Sequence, residues 1–549
     1  MAQVFEVPEV LCLICEQVQW SELVQLLTVS RLFFDCAVPL VWSSLPGSAP
    51  TILMKLLPDG GRYLNTSLSS TLVASQIDNL NPLDIQALVR FNRYAPYVKQ
   101  LVRYYQNKQS NVIWDRLLKL IDARPILPNL QVLKVSLGAT IRDPVAYISA
   151  YLSPHIVEIA HVRNAYSFIE PQSLCNLVSC IAQKCPRIRS LRLTNAATHM
   201  YIVMKPAHTS ELANSLSQLR NLRVFGLGRV VLDPKVLKAL GALPYLESLT
   251  LNEAPGNWGP GEVPKPTGTS LSHNSFPALR HIGINARFRP EPAIRAWDVT
   301  ALVGRLTSVS VRIDTPLTQV QANGFIRAVC HSSPFVTALC LDCTDSPSYV
   351  MLLSLDIIAH LAKLPLQRLW LSGKESYFTD THRDKEQFVV SFPRMEYLRI
   401  KGYYFTLKDL GSFAKHMPRL QQLSVRFEID TSCPTIGQPS LLALAPSSSQ
   451  LYLHFRIFRS VEGRRYMAAL PRGNSQDVEA IAAWLYALWP NGVICETDRR
   501  PDEKRRVDWA HQVNTALRWL CKANGRSDQM VVMSRKYLRR RVSPWLDRL

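Results

Sequence analysis

A nine-residue motif recurs along most of the chain and constrains its fold more than any other feature. Each copy reads apolar, Pro, any residue, apolar, two variable positions, apolar, variable, apolar. Clear copies are LPNLQVLKV, CPRIRSLRL, LPYLESLTL, FPALRHIGI, SPFVTALCL, FPRMEYLRI and MPRLQQLSV, which start at Leu127, Cys185, Leu243, Phe276, Ser333, Phe392 and Met417. Weaker copies start at positions 95, 153, 219, 306 and 364. Their spacing of roughly 24 to 34 residues suits one strand and one returning helix, so the motif predicts a solenoid.

The two halves of each repeat have different periodicities. The last apolar positions of a copy alternate as in a strand, whereas the segment PQSLCNLVSCIAQKC places Leu174, Leu177, Val178 and Ile181 at helical spacing. No single unit buries its apolar face alone, so stacked units must form the core. We therefore predict an α/β fold with parallel strands over residues 95–455. The pattern resembles the leucine-rich repeat but lacks its Asn or Cys position in the copies sampled, which predicts an irregular solenoid.

Residues 1–48 form a separate, short apolar segment that precedes the repeats. Three helices are expected here: one from about Pro8 to Val18, a second capped by Ser21, and a third from Val29 that stops at Pro39. Residues 1–60 carry roughly four net negative charges, whereas the whole chain has a formal net charge of +21. By periodicity alone, this segment would simply cap the larger domain behind it.

The order of residues in this segment, VPEVLCLICEQV…WSELVQLLTVSRLFFDCA…LVW, resembles the F-box. Matching positions are Pro8, Leu11, Ile14, Leu23, Leu26, Val29, Ser30, Arg31, Phe34 and Trp42. The whole layout is similar to F-box proteins with degenerate leucine-rich repeats, as in the large fungal families. The resemblance implies docking onto the Skp adaptor of a cullin-based ubiquitin ligase. It assigns the contacts to Pro8, Leu11, Ile14, Leu26 and Val29, with Ser30 and Arg31 at the edge.

Cations and aromatic residues lie between the apolar positions of the late repeat strands. Because strand side chains alternate, they are expected on the outer, concave side of the sheet. They are Arg368, Trp370, Tyr397, Arg399, Lys401 and Arg426. Arg forks match carboxylate and phosphate groups, so this surface is predicted to bind an acidic or phosphorylated target protein. A solvated sheet face without a ligand is the simpler alternative.

Known catalytic and metal-binding patterns are absent from the sequence. There is no Walker-type loop, His-Glu-x-x-His, Gly-x-Ser-x-Gly or dinucleotide fingerprint. The twelve cysteines are scattered, and neither the Cys12/Cys15 pair nor the Cys340/Cys343 pair has partners that complete four zinc ligands. We predict a non-enzyme without cofactor or metal. No signal peptide or membrane span is recognised, so we expect no membrane association and a cytoplasmic or nuclear location.

The layout divides into four parts: an F-box over 1–48, a helical connector or cap over 49–94, the solenoid over 95–455, and a basic, mainly helical segment over 456–549. Residues 455–549 contain 19 basic and 10 acidic side chains. Such clusters serve as import signals, as nucleic-acid contacts or, most commonly, as solvated helix faces. No nucleic-acid-binding motif accompanies them, so we do not expect a nucleic-acid partner.

Together these features predict the substrate-recognition subunit of an SCF-type ubiquitin ligase, which would bind the Skp adaptor and cullin complex at one end and a target protein at the other. The alternative is a leucine-rich-repeat scaffold, or a nucleic-acid-binding protein, with a vestigial F-box.

Overall fold

The computed structural model divides the chain into two compact units, Met1–Ala278 and Leu279–Leu549. The residues it describes are 6–45, 52–53, 55–56, 88–104, 125–136, 144–161, 170–193, 205–252, 271–286, 291–313, 318–343, 350–373, 375–378, 383–428, 450–461, 464–467, 475–497 and 509–523. Most of the predicted connector, most of the Pro/Gly-rich segment 254–275 and the basic cluster SRKYLRRR lie outside these ranges.

Three helices form the amino-terminal module, as the sequence predicts: α1 (Pro8–Gln17), α2 (Trp20–Leu26) and α3 (Arg31–Ser43). The second helix begins two residues earlier than a Ser21 cap would allow. The backbone N–H of Gln19 donates to the carboxylate of Glu22 at 3.4 Å, so Gln19 caps α2. Ser30 caps α3 by accepting a hydrogen bond from the Phe33 N–H at 3.3 Å.

The third helix is longer than predicted, because it continues through Pro39 to Ser43. A proline inside a helix removes one backbone hydrogen bond and crowds the preceding turn, so the final turn needs other support. The ring of Trp42 stacks on that of Tyr94 with centroids 4.8 Å apart, and the Ser43 carbonyl accepts the Lys99 N–H at 2.9 Å. These contacts join the helical module to the start of the sheet, as expected of a cap.

Strands of the first unit pair in parallel and in chain order through β1 to β7. They are β1 (Ser44–Leu45), β2 (Gln100–Tyr104), β3 (Val132–Ser136), β4 (Glu158–His161), β5 (Ser190–Arg192), β6 (Val224–Leu227) and β7 (Ser248–Asn252). The helices of this unit that follow the module are α4 (Val89–Tyr94), α5 (Pro144–Ser149), α6 (Pro171–Lys184), α7 (Pro206–Ser217) and α8 (Pro234–Gly241). Short 3-10 turns span Ala95–Tyr97 and Arg229–Leu232.

The second unit repeats this arrangement. Its strands include β8 (His281–Ala286), β9 (Ser308–Ile313), β10 (Ala338–Cys343), β11 (Val350–Leu353), β12 (Arg368–Gly373), β13 (Glu375–Phe378), β14 (Tyr397–Phe405), β15 (Gln422–Glu428) and β16 (Leu451–Val461). Its helices include α9 (Glu291–Ala296), α10 (Thr300–Val303), α11 (Gln319–Ser332), α12 (Leu355–Leu361), α13 (Arg383–Ser391) and α14 (Leu407–His416). Strands β11 and β13 form a separate two-stranded parallel sheet, and the others pair in parallel. The predicted α/β solenoid with parallel strands is confirmed.

The carboxyl-terminal part contains more sheet than predicted. It comprises β17 (Arg464–Met467), α15 (Ser475–Leu488), β18 (Val493–Thr497) and α16 (Trp509–Ala523). The expected boundary at 455 falls inside β16. Strand β17 pairs antiparallel with β16, and β18 pairs with it in parallel. The sheet therefore continues to residue 497, with α15 as one more returning helix.

Successive repeats are tied together by one recurring backbone arrangement. The carbonyl of the residue before a strand accepts two N–H groups from the next repeat: the Gln131 carbonyl accepts those of Val157 and Glu158 at 2.8 and 3.1 Å. The same pattern recurs at Lys99, Val157, Arg189, Arg223, Arg280, Thr307, Thr337, Gln367 and Glu396. These hydrogen bonds join backbone atoms only. The backbone groups of the turn therefore have partners whatever its side chains are.

The core lies on one side of these strands. In each unit the strands contribute one row of apolar side chains, none of them more than 4% exposed. The row residue is the second of its strand in β1 to β10, β12, β14 and β15, and the third in β16. The row consists of Leu45, Leu101, Leu133, Ile159, Leu191, Phe225 and Leu249 in the first unit, and Ile282, Val309, Leu339, Leu369, Leu398, Leu423 and Leu453 in the second. Since strand side chains alternate, the residues on either side of this row point away from the core.

A second recurring contact was not predicted. The third motif position is variable in sequence, but an asparagine there donates to the proline carbonyl of the preceding repeat. Asn129 Nδ2 donates to the Pro96 carbonyl at 2.9 Å, and Asn221 Nδ2 donates to the Pro186 carbonyl at 3.0 Å. The irregular solenoid thus uses asparagine, but at a different place from the position sought in the sequence.

Candidate functional site

The seven residues predicted to contact an adaptor differ in their exposure. Pro8, Val29, Ser30 and Arg31 are exposed, and Ile14 and Leu26 are half-buried. Leu11 is 0% exposed and belongs to a core cluster with Cys15, Leu23, Cys36 and Ala37. Leu11 therefore belongs to the core of the module, and its assignment as an adaptor contact stays a prediction. Its side chain lies four residues from Cys15 on the buried face of α1, where it stabilises the module.

The module also exposes apolar side chains that sequence reasoning missed. Leu13, Trp20 and Val29 are each 61% to 64% exposed, and Val7 and Val24 are exposed to a lesser degree. Trp20 and Val24 are four residues apart, so they lie on one side of α2. Leu13 is two positions from Leu11, which places it on the opposite side of α1 from the core. Helical periodicity identifies the buried side of each helix. The apolar residues on the opposite side, which include Leu13 and Trp20, could have been identified from the same pattern.

On β12 and β14, the predicted alternation holds. Leu369, Leu371, Leu398 and Ile400 are buried on the core side. The residues between them form what we call the late-strand face, defined as Arg368, Trp370, Tyr397 and Arg399. In the parallel register Arg368 lies beside Tyr397, and Trp370 lies beside Arg399.

Arg399 and Trp370 make the central contact of the late-strand face. The guanidinium carbon Cζ of Arg399 lies 4.2 Å from the centroid of the Trp370 ring. Both side chains are half-buried. Nε of Arg399 is buried and has no hydrogen-bond acceptor among the described residues. The guanidinium is therefore held against an aromatic face by a cation–π contact, and its other N–H donors are on its two terminal nitrogens.

Tyr397 lies beside this pair and does not neutralise it. Burial raises the pKa of the Tyr397 phenol, while the positive charge of Arg399 and a hydrogen bond with it act in the opposite direction. Because the net shift is upward, the phenol stays neutral at ordinary pH. Arg368, in register with Tyr397, is exposed at the edge of the face.

The two remaining predicted target-binding residues do not lie side by side. The sequence pattern aligns Lys401 with Arg426, but the structure pairs Lys401 with Ser372 on β12 and Arg426 with Tyr404 on β14. The β14–β15 register shifts between Arg399 and Tyr404. Strand β14 has nine residues and β15 has seven, and the extra length includes a glycine, a residue that bulges accommodate. Arg426 therefore lies beyond the bulge, in a different row from Arg399.

No other chemistry emerges from the described parts of the chain. Within the described ranges, no group of three or more His, Cys, Asp or Glu side chains is arranged to hold a metal ion. In those same ranges, no helix is long and apolar enough to cross a membrane. Burial raises the pKa of Cys175 and Cys330 to about 11, and that of Cys185 and Cys495 to about 12. Such thiols are neutral and unreactive at physiological pH.

Comparison with known proteins gives distant structural similarities. No protein-family model matches the sequence, and no curated protein matches it. Among similar solved structures is the leucine-rich repeat-containing protein LegL7 from Legionella pneumophila, with 13% identity and a TM-score of 0.29 over 65% of this chain and 97% of that one. A TLR13–ssRNA13 complex has 11% identity and a TM-score of 0.25, covering 74% of this chain and 62% of that one.

The plant peptide hormone receptor RGFR1 in complex with RGF2 has 11% identity and a TM-score of 0.24, covering 68% of this chain and 60% of that one. TM-scores of this size carry no argument about function. The assignment of a repeat solenoid therefore rests on the strand order and register of the chain itself.

Proposed function

We propose that the chain is a non-catalytic receptor subunit of an SCF-type ubiquitin ligase. Its amino-terminal module would bind a Skp-family adaptor, and its late-strand face would bind an acidic or phosphorylated target protein. The subunit would act by raising the concentration of the target near a ubiquitin-charged enzyme, which requires no cofactor of its own. Such a receptor would work in the cytoplasm, the nucleus or both.

One observation supports the adaptor-binding half of this proposal most directly. The F-box-like residues fold as three helices that keep Pro8, Ile14, Leu26 and Val29 wholly or partly at the surface. Leu13 and Trp20 are further exposed apolar side chains of the same module. Apolar anchors in the centre of an interface supply most of its affinity.

A test is retention of the full chain by recombinant Skp adaptor. Ile14→Asp/Leu26→Asp should lower the affinity at least tenfold by placing unpaired charge in the interface. Val29→Asp changes an exposed residue and should weaken binding without disturbing the module. A matched control is Val320→Asp, since Val320 is 80% exposed in the other unit. Undiminished binding by both module variants, with unchanged thermal melting, would reject adaptor docking through this surface.

The alternative of a scaffold or nucleic-acid binder with a vestigial box has its own support. The formal net charge of +21 would attract nucleic acid, and the contacts of Trp42 with Tyr94 and of Ser43 with Lys99 suit a structural cap. Under this alternative, the adaptor would not retain the full chain.

A further inference from the structure

Arg399 is a half-buried cation on the late-strand face. Among the residues that the structure describes, no Asp or Glu carboxylate forms an ion pair with Arg399. Its polar neighbour is the Tyr397 hydroxyl, which is neutral. Folded proteins normally pair a charge that they remove from water, because leaving it alone is unfavourable.

The Trp370 ring offsets only part of this desolvation, and it also fixes the direction of the guanidinium. One face of the guanidinium lies on the ring, Nε is buried, and a terminal nitrogen hydrogen-bonds with the Tyr397 hydroxyl, so the further N–H groups of the two terminal nitrogens are the donors left for a ligand. Two parallel N–H donors in one plane match the two oxygens of a carboxylate. The side chain is held in place before binding, so little of its conformational entropy remains to be lost.

We propose that Trp370 and Arg399 form a subsite for a single carboxylate, the side chain of an unmodified Asp or Glu in a target segment. This inference rests on the proposed function in using the same face, and it narrows the ligand from acidic or phosphorylated to carboxylate. Tyr397 orients the guanidinium, and the exposed Arg368 attracts the segment at the edge.

Charge balance favours a carboxylate over a phosphate here. The energy of moving an ion out of water grows with the square of its charge, so a phosphate dianion loses about four times as much as a carboxylate at the same partly buried place. One guanidinium balances one negative charge.

The test uses the full chain and three sets of fluorescent ten-residue peptides. The sets carry a central Glu, phosphoserine or Gln in otherwise degenerate sequence, and binding is read by anisotropy at fixed ionic strength. We expect the Glu set to bind at least about tenfold tighter than the Gln set, and the phosphoserine set to bind no tighter than the Glu set. Tighter binding of phosphoserine peptides, or equal binding of all three sets, overturns the inference. So does tighter binding of a single-stranded RNA of equal length.

Variants separate the subsite from general positive charge. Arg399→Gln should reduce binding of the Glu set to the level of the Gln set, and Arg399→Lys should restore only part of it, since a lysine keeps the charge but not the fork. Arg394 is an exposed cation in the turn before β14. Arg394→Gln should leave the binding of the Glu set unchanged. An equal loss in the Arg394 and Arg399 variants contradicts the proposal.

The adaptor-binding experiment and the peptide-binding experiment test different proposals, so one can be rejected while the other holds. If the adaptor does not retain the chain but the Glu preference holds, the subsite stands and the ligase role falls. If the adaptor binds and the Glu preference is absent, only the subsite is rejected. Thermal melting of the Arg399 variants shows whether any lost binding reflects unfolding.

Discussion

The side-chain amide of Asn514 forms two hydrogen bonds with the backbone of Cys495. Its Oδ1 accepts the Cys495 N–H at 2.9 Å, and its Nδ2 donates to the Cys495 carbonyl at 2.8 Å. Cys495 lies on β18, whose partner strand is β16. One side chain of α16 thus takes the place of a neighbouring strand. Open strand edges are templates for association, so this contact protects the end of the sheet.

Replacement of Asn514 should expose this edge. Asn514→Leu leaves two backbone groups without partners, so we expect the free energy of unfolding to fall by about 1–3 kcal/mol. We also expect concentration-dependent association, measured by light scattering alongside denaturant unfolding. Thr515→Ala, at the adjacent exposed position, is the control and should have a much smaller effect. Equal effects of the two substitutions would contradict a specific edge-capping role.

Two glycines should respond to alanine in opposite directions. A Cβ at Gly241 would lie 3.1 Å from Ser275 Cβ and 3.2 Å from Phe276 Cε2. Phe276 is buried and has a positive φ of 57°, so it has little room to move. Gly241→Ala should lower the free energy of unfolding by about 1–3 kcal/mol. Gly324 lies in α11 with nothing within 4 Å of its Cβ position, so Gly324→Ala should raise that free energy by about 0.5–1 kcal/mol. Denaturant unfolding of both variants checks the signs, and the same sign for both would be inconsistent with this packing.

Buried thiols should make the fold sensitive to alkaline pH. Burial raises the pKa of Cys185 and Cys495 to about 12, whereas an unfolded thiol ionises near about 8.5. Because the folded-state pKa is the higher one, the stabilisation is complete below the unfolded pKa and is lost as pH rises toward 12. We expect the free energy of unfolding to decrease from pH 8 to pH 10.5. Cys185→Ala/Cys495→Ala should reduce the decrease, and an identical pH dependence in this variant would contradict the assignment.

Alkylation tests the burial of the Cys185 and Cys495 thiols at constant pH. At pH 8, iodoacetamide should modify the half-buried Cys12 and Cys180 before Cys185 and Cys495. Mass spectrometry of native and urea-unfolded protein gives the order of modification. Early modification of Cys495 in the native chain would show that β18 is open to solvent.

The basic character of the chain predicts weak, salt-sensitive retention on nucleic acid. Counterion release makes such binding fall steeply with salt, so we expect little retention on DNA or RNA at physiological ionic strength. Filter binding over a salt series measures this. Tight and sequence-dependent binding at physiological salt would support the nucleic-acid alternative over the ligase role.

Strand alternation and helix number were readable from the sequence because they depend on local periodicity. The rows containing Leu369 and Leu398 follow from alternating apolar residues, and the three amino-terminal helices follow from spacing and capping residues. The late-strand face was predictable for the same reason. A shared register of the motif copies brought Trp370 and Arg399 together.

The features that were not predicted depend on contacts between segments that are distant in the sequence. The bulge that separates Lys401 from Arg426 changes a register that the motif alone would have kept. The burial of Leu11 depends on packing among the module helices, and the strand around Cys495 lacks the motif and is recognised only by its pairing with β16. A pattern in one segment does not specify these tertiary choices.

The proposed function assigns two separate surfaces to two different partners. Proximity labelling of the full chain in cells, with quantitative mass spectrometry, can compare wild type with Ile14→Asp/Leu26→Asp and with Arg399→Glu. The account predicts that the first variant loses the Skp adaptor and cullin but keeps the other enriched proteins. It predicts that the second keeps the adaptor and loses those other proteins at least about tenfold. If both variants lose the same partners, or if neither changes any partner, the two-surface account is contradicted.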